Sequence, residues 1–328
     1  MFIINNNNLI KGVINMNNLK KIGLTALAGS LVATSVAYAG ALEVTGSASM
    51  KVTNSSQSAA GKTVGMANNI YFKGSGETDG GLNVSLSFEL DDGSDSGNAS
   101  AAWDNHSVAV GNDTLGTLTV HGHGGSNAAS ALDTTAAGDL WDNFDDETGL
   151  EPTGVGSGDN MMMYTLPSVM DDLALNVSYL PAGSTTDSAT GYGATFTGVE
   201  GLSVSYATGD DNTVGNTGDG TVLKASYAYG SFTISASDYE YDTAGTSSDD
   251  DVSAYKLSYT VSDELSVSYA SETVETGTLE AEYEEVSVSY TTGGMTLTAS
   301  MGEADDRDGT TTATMDNERW ALGASFAF

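Results

Sequence analysis

The chain of 328 residues has no cysteine, three prolines and only ten lysines and arginines. Without cysteine it forms neither disulfide bonds nor thiolate metal sites. The ten basic residues stand against 44 aspartates and glutamates, so the formal charge is -34. Binding to nucleic acid requires clustered lysine and arginine, and this composition excludes it. Strong acidity can also indicate disorder, but a repeated apolar alternation along most of the chain argues against that.

Long hydrophobic runs are also absent, except near the N-terminus. There a pair of lysines precedes the apolar run 22–36, which ends in Ala37-Tyr38-Ala39. A basic start, a short apolar run and an A-x-A site predict a secretory signal peptide over 1–39, with 1–15 as an N-terminal extension. The remaining residues, 40–328, are expected to form one β domain. Any membrane-spanning role in this domain must therefore depend on strands.

Strict period-two alternation marks the end of the chain. Trp320, Leu322 and Phe326 share one parity, while Arg319 and Ser325 share the other. This predicts a strand with one bulky apolar face and one small, weakly polar face. Such a strand suits a closed barrel with lipid outside and a wide aqueous interior. The pattern recurs along the chain and predicts an all-β, closed antiparallel transmembrane barrel of about sixteen strands. A shift of parity between Tyr283 and Val286 predicts a β-bulge.

The connections between the predicted strands alternate in length. Short turns on one rim and long loops on the other are typical of transmembrane β-barrels. The short turns are predicted near 79–81, 113–116, 171–172, 198–201, 230–231, 262–264 and 293–294. The long loops are predicted near 54–65, 91–105, 122–158, 180–190, 207–220, 239–252, 271–278 and 302–317.

Aromatic residues cluster near the ends of the predicted strands, on the apolar parity. Tyrosine and tryptophan favour the two membrane–water interfaces, although tyrosine also favours strands in general. As a set they predict a pair of aromatic girdles. The residues are Tyr179, Tyr206, Tyr229, Phe232, Tyr259, Tyr269, Tyr290, Trp320 and Phe328.

The longest insertion, 121–158, lies between the fifth and sixth predicted strands and contains no lysine or arginine. Loops of this length are usually functional or disordered. Because Trp141 and Phe144 need an apolar environment, we expect the loop to fold into the barrel and narrow it. A solvated acidic surface loop is the alternative. The acidic residues expected at this constriction are Asp133, Asp139, Asp142, Asp145, Asp146, Glu147 and Glu151.

Five basic residues fall on the parity predicted to face the lumen: Lys51, Lys73, Lys224, Lys256 and Arg319. A charge on the lipid face costs about 2–4 kcal/mol at the bilayer midplane, so this placement is expected in any such barrel. Three of them, Lys51, Lys73 and Arg319, lie on the first, second and last strands, which are neighbours once the barrel closes. They are predicted to form a basic wall facing the acidic loop, with a transverse field between them.

The predicted leader, the strand count, the long third loop, Thr45-Gly46-Ser47 and the ending Ala324-Ser325-Phe326-Ala327-Phe328 together resemble the general-diffusion porins of Gram-negative bacteria, most of all the α-proteobacterial type. The resemblance implies an outer-membrane homotrimer of sixteen-stranded barrels in which the third loop forms an eyelet. It also implies that the strand ending at Phe328 is read by the barrel-assembly machinery. Such porins often carry a denser arginine cluster at the eyelet than Arg319 and the lysines provide here.

Metal-binding and catalytic features are sparse. His121 and His123 are spaced for one face of a strand, but no third ligand is evident nearby. Pairs and triplets of aspartate occur at 91–92, 210–211, 249–251 and 305–306, and none matches an EF-hand loop. Loop-bound calcium therefore stays a minor expectation and no cofactor is predicted. No nucleophile motif accompanies the three histidines, so we do not expect an enzyme.

These observations predict an outer-membrane porin that allows passive diffusion of small hydrophilic solutes and ions and prefers cations. The alternative is an acidic, calcium-binding surface β protein such as an adhesin or an S-layer module. A solenoid of that class would show a fixed short repeat, which the sequence lacks.

Overall fold

The computed structural model describes residues 42–56, 62–91, 103–144, 150–156, 158–183, 187–213, 216–245, 249–307, 309 and 316–328. The predicted leader lies outside these residues. The described residues form sixteen strands and one short 3-10 helix, Leu140–Phe144. The strands are β1 Leu42–Ser55, β2 Lys62–Glu77, β3 Asn83–Asp91, β4 Trp103–Asn112, β5 Gly116–His123, β6 Met162–Thr165, β7 Leu173–Leu180, β8 Ala189–Val199, β9 Leu202–Thr213, β10 Asn216–Tyr229, β11 Phe232–Thr243, β12 Asp250–Thr260, β13 Leu265–Thr276, β14 Leu279–Thr292, β15 Met295–Asp305 and β16 Asn317–Ala327.

The sheet closes on itself. Every strand pairs antiparallel with its neighbours in the chain, and β1 pairs with β16. At the seam, Gly46 N donates to Phe328 O at 2.9 Å and Phe328 N donates to Gly46 O at 3.0 Å. The predicted closed barrel of sixteen antiparallel strands is thus confirmed. No helix in the described part of the chain is long and apolar enough to cross a membrane.

One rim of the barrel is made of tight turns. Gly230 and Gly293 have φ of 59° and 60° and lie in the two-residue connections β10–β11 and β14–β15. Hairpin turns of this length require positive φ, which glycine adopts without a steric cost. The seam at Gly46 and Phe328 lies at this rim too. We call the half of the wall nearest to it the lower wall, and the other half the upper wall.

The opposite rim differs from the prediction. Strand β9 continues to Thr213 and β10 begins at Asn216, while β13 ends at Thr276 and β14 begins at Leu279. The long loops expected near 207–220 and 271–278 are therefore largely strand, and most of the loop expected near 239–252 is strand as well. The prediction missed these extensions because it searched for apolar residues on the outward parity.

The two halves of the wall have opposite faces. In the lower wall of β14, Val286 and Tyr290 are exposed on the outside, and the facing parity is serine. In the upper wall of the same strand, Glu282 is exposed on the outside, while Ala281 and Tyr283 are buried on the inside. The pairing of β14 with β13 and β15 runs through this point without a shift. The predicted bulge is therefore wrong: the apolar residues change side while the register stays constant.

The apolar inner face of the upper wall packs against the loop that follows β5. Leu140, Phe144 and Val155 of that loop join Tyr239 and Tyr283 of the wall in one buried cluster. Full burial of a side chain such as Leu140 or Phe144 is worth roughly 1.5–3 kcal/mol. The core of this protein thus lies inside the barrel at its upper end.

The outer face of the lower wall carries the large apolar side chains. The nine residues of the predicted girdles all lie on this outward parity, and Tyr229 and Phe232 are 75% and 53% exposed. Phe232 packs against Tyr259 with 4.8 Å between ring centroids. An apolar surface of this kind needs an apolar surrounding, because exposed patches of this extent are rare on soluble monomers.

Candidate pore constriction

The connection between β5 and β6, residues 124–161, lies inside the barrel and is here called the constriction loop. Ala128 N donates to Ser178 Oγ of β7 at 2.9 Å, and Ala136 N donates to Ser237 Oγ of β11 at 2.7 Å. Both hydroxyls lie on the inner face of the wall. The loop therefore crosses the lumen, and the predicted inward fold of the third loop is confirmed.

A buried carboxylate on β13 holds the middle of the constriction loop. Glu272 has no exposed surface, and its Oε2 accepts a hydrogen bond from Thr135 Oγ1 at 2.5 Å. Its other oxygen accepts from Trp141 N at 3.2 Å. Asp139, with φ of 53°, closes the intervening turn by accepting from Thr135 N at 2.8 Å. The sequence pattern predicts a loop near 271–278, so the role of Glu272 was not predicted.

Beyond this anchor, the short helix of the loop packs against the wall through Phe144. Its ring lies 5.6 Å from that of Tyr283, and its carbonyl accepts from Arg307 Nη1 at 3.1 Å. The Arg307 carbonyl accepts in turn from Leu150 N at 2.8 Å. Arg307 is 1% exposed, so the segment after β15 fastens the constriction loop from above. In the sequence, Arg307 is a single arginine within an acidic stretch, and this was the only sign that it holds the constriction loop.

Two carboxylates of the constriction loop have altered acidity. Burial and the charge of Asp139 raise the pKa of Asp133 to about 6. Burial also raises the pKa of Asp142, with further contributions from Asp139 and Glu151. Both groups therefore bind protons more readily than an aspartate in water. Of the other predicted acids, Glu151 is exposed and Asp145, Asp146 and Glu147 lie outside the described residues.

The predicted basic residues lie at different heights. Lys51 faces the loop tip, with Nζ 3.4 Å from Asn143 Oδ1. Arg319 is 8% exposed and lies 5.9 Å from the Phe144 ring. Lys224 Nζ donates to the carbonyl of Thr134. Lys256 lies on the inward parity of β12 and is half-buried.

The predicted basic wall of Lys51, Lys73 and Arg319 is wrong. Lys51 pairs with Gly65 of β2, whereas Lys73 pairs with Glu43 of β1. These two pairs are eight residues apart along the strands, which is roughly 26 Å at the usual rise. Of these three residues, only Lys51 and Arg319 reach the constriction loop. The three strands are neighbours, as predicted, but parity carries no information on the height of a residue along the barrel axis.

A cluster of carboxylates on β3 and β4 was missed. Oxygens of Glu89, Asp91 and Asp104 lie within 4.8 Å of one another. Glu89 is buried and accepts hydrogen bonds from Asn105 Nδ2 at 2.8 Å and Asn69 Nδ2 at 3.2 Å. The available signal was Glu89 on the polar parity of the clearest strand in the sequence.

Of the two histidines spaced two residues apart, His121 and His123, the second lies beside this cluster. His123 Nδ1 is 3.9 Å from Asp104 Oδ1, and its Nε2 is 3.8 Å from Asp159 Oδ1. His121 pairs with Ser107 across β4 and β5. The wall of β3 to β5 therefore gathers acidic groups and an imidazole at the upper end of the lumen.

The tip of the constriction loop leaves a narrow space against the opposite wall. This space has a volume of about 250 Å³ and is lined by Lys51, Thr63, Asp142, Asn143 and Arg319 among others. Charges of both signs thus meet at this point, where the low-dielectric walls strengthen their effect on a passing solute.

A closed barrel with an apolar lower belt, polar lower lumen and inward loop defines a membrane diffusion channel of the outer-membrane type. A family model described as Gram-negative porin matches residues 23–284. The chain therefore belongs to the Gram-negative porin family, and its place is the outer membrane. The family and the fold are those of channels.

Solved structures support this assignment. The anion-selective porin from Comamonas acidovorans superimposes with a TM-score of 0.69 at 15% identity, covering 88% of this chain and 100% of that one. A loop-deletion variant of OmpT, an outer membrane protein of Vibrio cholerae, gives 0.64 at 17%, covering 88% and 100%. A variant of the Rhodopseudomonas blastica porin gives 0.63 at 14%, again covering 88% and 100%. Comparison of the sequence with curated proteins found no match.

At such low identity the superpositions show the fold only. The anion selectivity in the name of the Comamonas porin belongs to that protein. Selectivity depends on the side chains at the narrowest point of the channel.

Proposed function

We propose that this porin allows passive diffusion of small hydrophilic solutes and ions and prefers cations. The observation that carries the preference is the charge balance around the constriction loop. Glu89, Asp91 and Asp104 line one wall, while Asp133 and the exposed Asp142 lie on the loop. Lys51 and Arg319 lie at the tip of the loop, and Lys73 lies beside Tyr71, the residue of β2 that pairs with Glu89.

The basic side chains contribute less positive charge to the lumen than their number implies. Arg319 is almost fully buried beside Phe144, and Lys224 donates to a loop carbonyl. The carboxylate of Asp142, by contrast, is exposed at the tip of the loop. A passing ion therefore meets a surplus of negative charge, which raises the local concentration of cations.

Planar-bilayer recordings of the purified protein under a KCl gradient test this proposal. A reversal potential that corresponds to preferential K⁺ flux supports it. A reversal potential of the opposite sign, as for an anion-selective channel, would reject the preference while leaving the channel intact. Absence of conductance from a heat-modifiable, folded sample would reject the diffusion function itself.

The same proposal includes lipid and protein partners. The exposed apolar belt supports contact with outer-membrane lipid, and family resemblance supports a homotrimer. The C-terminal Phe328 is paired with Gly46, and we propose that this last strand is also read by the barrel-assembly machinery. Removal of Phe328 is expected to lower the yield of barrel in membranes more than in detergent refolding.

A calcium-binding surface protein is less well supported. Two of the aspartate groups already serve protein donors: Asp210 Oδ1 accepts from Thr190 Oγ1 at 2.8 Å, and Asp250 Oδ2 accepts from Thr153 N at 2.7 Å. We propose a channel that needs no resident cofactor. Conductance and melting temperature that are unaffected by calcium chelation would agree with this, and a large loss of either would contradict it.

A further inference from the structure

A groove on the outside of the barrel takes no part in the channel. It has a volume of about 410 Å³ and lies on the outer face of β13 to β16 and the adjoining end of β1, where the apolar belt meets the acidic upper wall. Val286, Met301 and Trp320 form its apolar part, and Met301 is 71% exposed. We call it the outer groove.

Three carboxylates border the upper edge of the outer groove. Glu284 pairs directly with Glu303, and Glu303 pairs directly with Glu318. Opposed side chains of neighbouring strands have Cβ atoms about 4.5–5.5 Å apart, so these like charges repel one another. Tyr269 donates to Glu284 Oε1 at 2.8 Å and fixes that carboxylate beside the groove.

The basic groups nearby leave this edge acidic. Arg319 borders the groove, but its guanidinium lies 5.9 Å from the Phe144 ring inside the barrel. Lys62 reaches the same outer face, and its Nζ lies 5.6 Å from the centre of the Trp320 ring. The Trp320 ring is thus already in contact with the ammonium group of Lys62.

The apolar residues and the carboxylates of the outer groove follow one another along the membrane normal. This order determines which kind of molecule the groove can bind. The apolar part continues into the lipid-facing belt, and the carboxylates lie above it. An amphiphile whose chain follows Val286 and Met301 would place its headgroup at the three glutamates. A phosphate or carboxylate headgroup would be repelled there, whereas an ammonium group would relieve the repulsion between them.

We propose that the outer groove binds a membrane amphiphile with an ammonium headgroup. The ammonium lies between Glu284, Glu303 and Glu318, and the chain lies along Val286 and Met301, beside Trp320. The inference rests on the membrane location of the barrel and is independent of what passes through its lumen.

Fluorescence of Trp320 provides the test. Replacement of the other two tryptophans, Trp103→Phe and Trp141→Phe, leaves Trp320 as the only indole reporter. The protein is placed in nanodiscs that contain spin-labelled amphiphiles with identical chains and either a trimethylammonium or a carboxylate headgroup. At equal mole fraction, the ammonium form is expected to quench Trp320 several-fold more strongly.

A triple variant and a matched control locate the effect. Glu284→Gln, Glu303→Gln and Glu318→Gln together are expected to abolish the difference between the two amphiphiles. The control removes three outward carboxylates from β11 and β12, by Asp238→Asn, Glu240→Gln and Asp251→Asn, and is expected to keep it. Heat-modifiable migration and single-channel conductance verify that every variant is folded, and they test the channel function separately.

Four results would overturn the proposal. Equal quenching by both amphiphiles would mean that the groove does not recognise the headgroup. Equal loss in the triple variant and in the control would reduce the effect to general surface charge. No quenching by either would show that the groove is covered, for example by a second copy of the chain. Displacement of the spin-labelled amphiphile by chainless tetramethylammonium at the same concentration would also contradict a membrane amphiphile as the occupant.

Discussion

The lower and upper halves of the barrel wall are built from the same strands but have opposite faces. In the lower wall of β14, Val286 and Tyr290 point outward; in the upper wall, Glu282 points outward while Tyr283 is buried inside. The difference shows that the apolar residues of an alternating strand mark the face with an apolar environment. That face can be the outside or the inside of the barrel. Below, the apolar surrounding is lipid; above, it is the constriction loop.

The largest expected effect is a difference in stability between two lysine substitutions on β14, one in the lower wall and one in the upper wall. Val288→Lys places a charge on the lipid face of β14 and should lower the free energy of unfolding in vesicles by about 2–4 kcal/mol. Glu282→Lys, the matched change on the upper wall, should alter it by less than about 0.5 kcal/mol. Urea titration of both variants in the same vesicles measures this. Similar losses in the two variants would show that both positions face the same environment.

The inner face of the upper wall is tested through Glu272. Glu272→Ala removes the acceptor for Thr135 Oγ1 and Trp141 N, and loss of a buried hydrogen-bonding partner costs about 1–3 kcal/mol. We expect faster amide exchange in the constriction loop and a noisier, larger conductance. Glu272→Gln, which keeps one acceptor oxygen, should show a weaker effect. Unchanged exchange in the alanine variant would exclude this glutamate as an anchor.

Selectivity should respond to the carboxylates on β3 and β4. A unit charge about 8 Å from a passing ion in water changes its energy by about 0.5 kcal/mol, or a factor of about two in its concentration. Asp104→Asn should therefore lower the ratio of cation to anion permeability by about twofold, and Lys51→Gln should raise it by a similar factor. Reversal potentials measure both variants. Shifts in the same direction would contradict the assigned charge balance.

A smaller effect is expected from pH. Because the pKa of Asp133 is raised to about 6, its charge is present at pH 7.5 and is lost as the pH falls toward 5. Cation preference should decline over this range, and Asp133→Asn should remove part of the decline. The folded protein binds this proton more tightly than the unfolded chain, so Asp133 lowers stability as the pH rises from about 4 to above 6. Asp133→Asn should thus stabilise the loop at pH 7.5 but not at pH 4, as measured by amide exchange.

Sequence analysis predicted the barrel, the strand number and the inward loop because each depends on alternation or on loop length. It failed where the pattern changed side: at Tyr283 to Val286 it predicted a bulge, and near 207–220 and 271–278 it predicted loops. The anchor Glu272 was lost for the same reason.

The position of a residue along the barrel axis is the second property that the sequence pattern does not predict. Parity places Lys51 and Lys73 on the lumen side of neighbouring strands, but only the register shows that Lys73 lies opposite Glu43. The carboxylates of β3 and β4 meet because β4 carries a bulge opposite Phe88 and Leu90, which no pattern in one strand predicts.

The absence of cysteine permits a direct test of the central claim, that the constriction loop is fixed against the inner face of the upper wall. Ala136 N donates to Ser237 Oγ at 2.7 Å, so the two residues are in direct contact, which a disulfide between these positions requires. Ala136→Cys with Ser237→Cys should form this bond spontaneously on oxidation, and single-channel conductance should stay within the wild-type range before and after. Failure of the bond to form in folded protein, or closure of the channel when it forms, would contradict the placement of the loop.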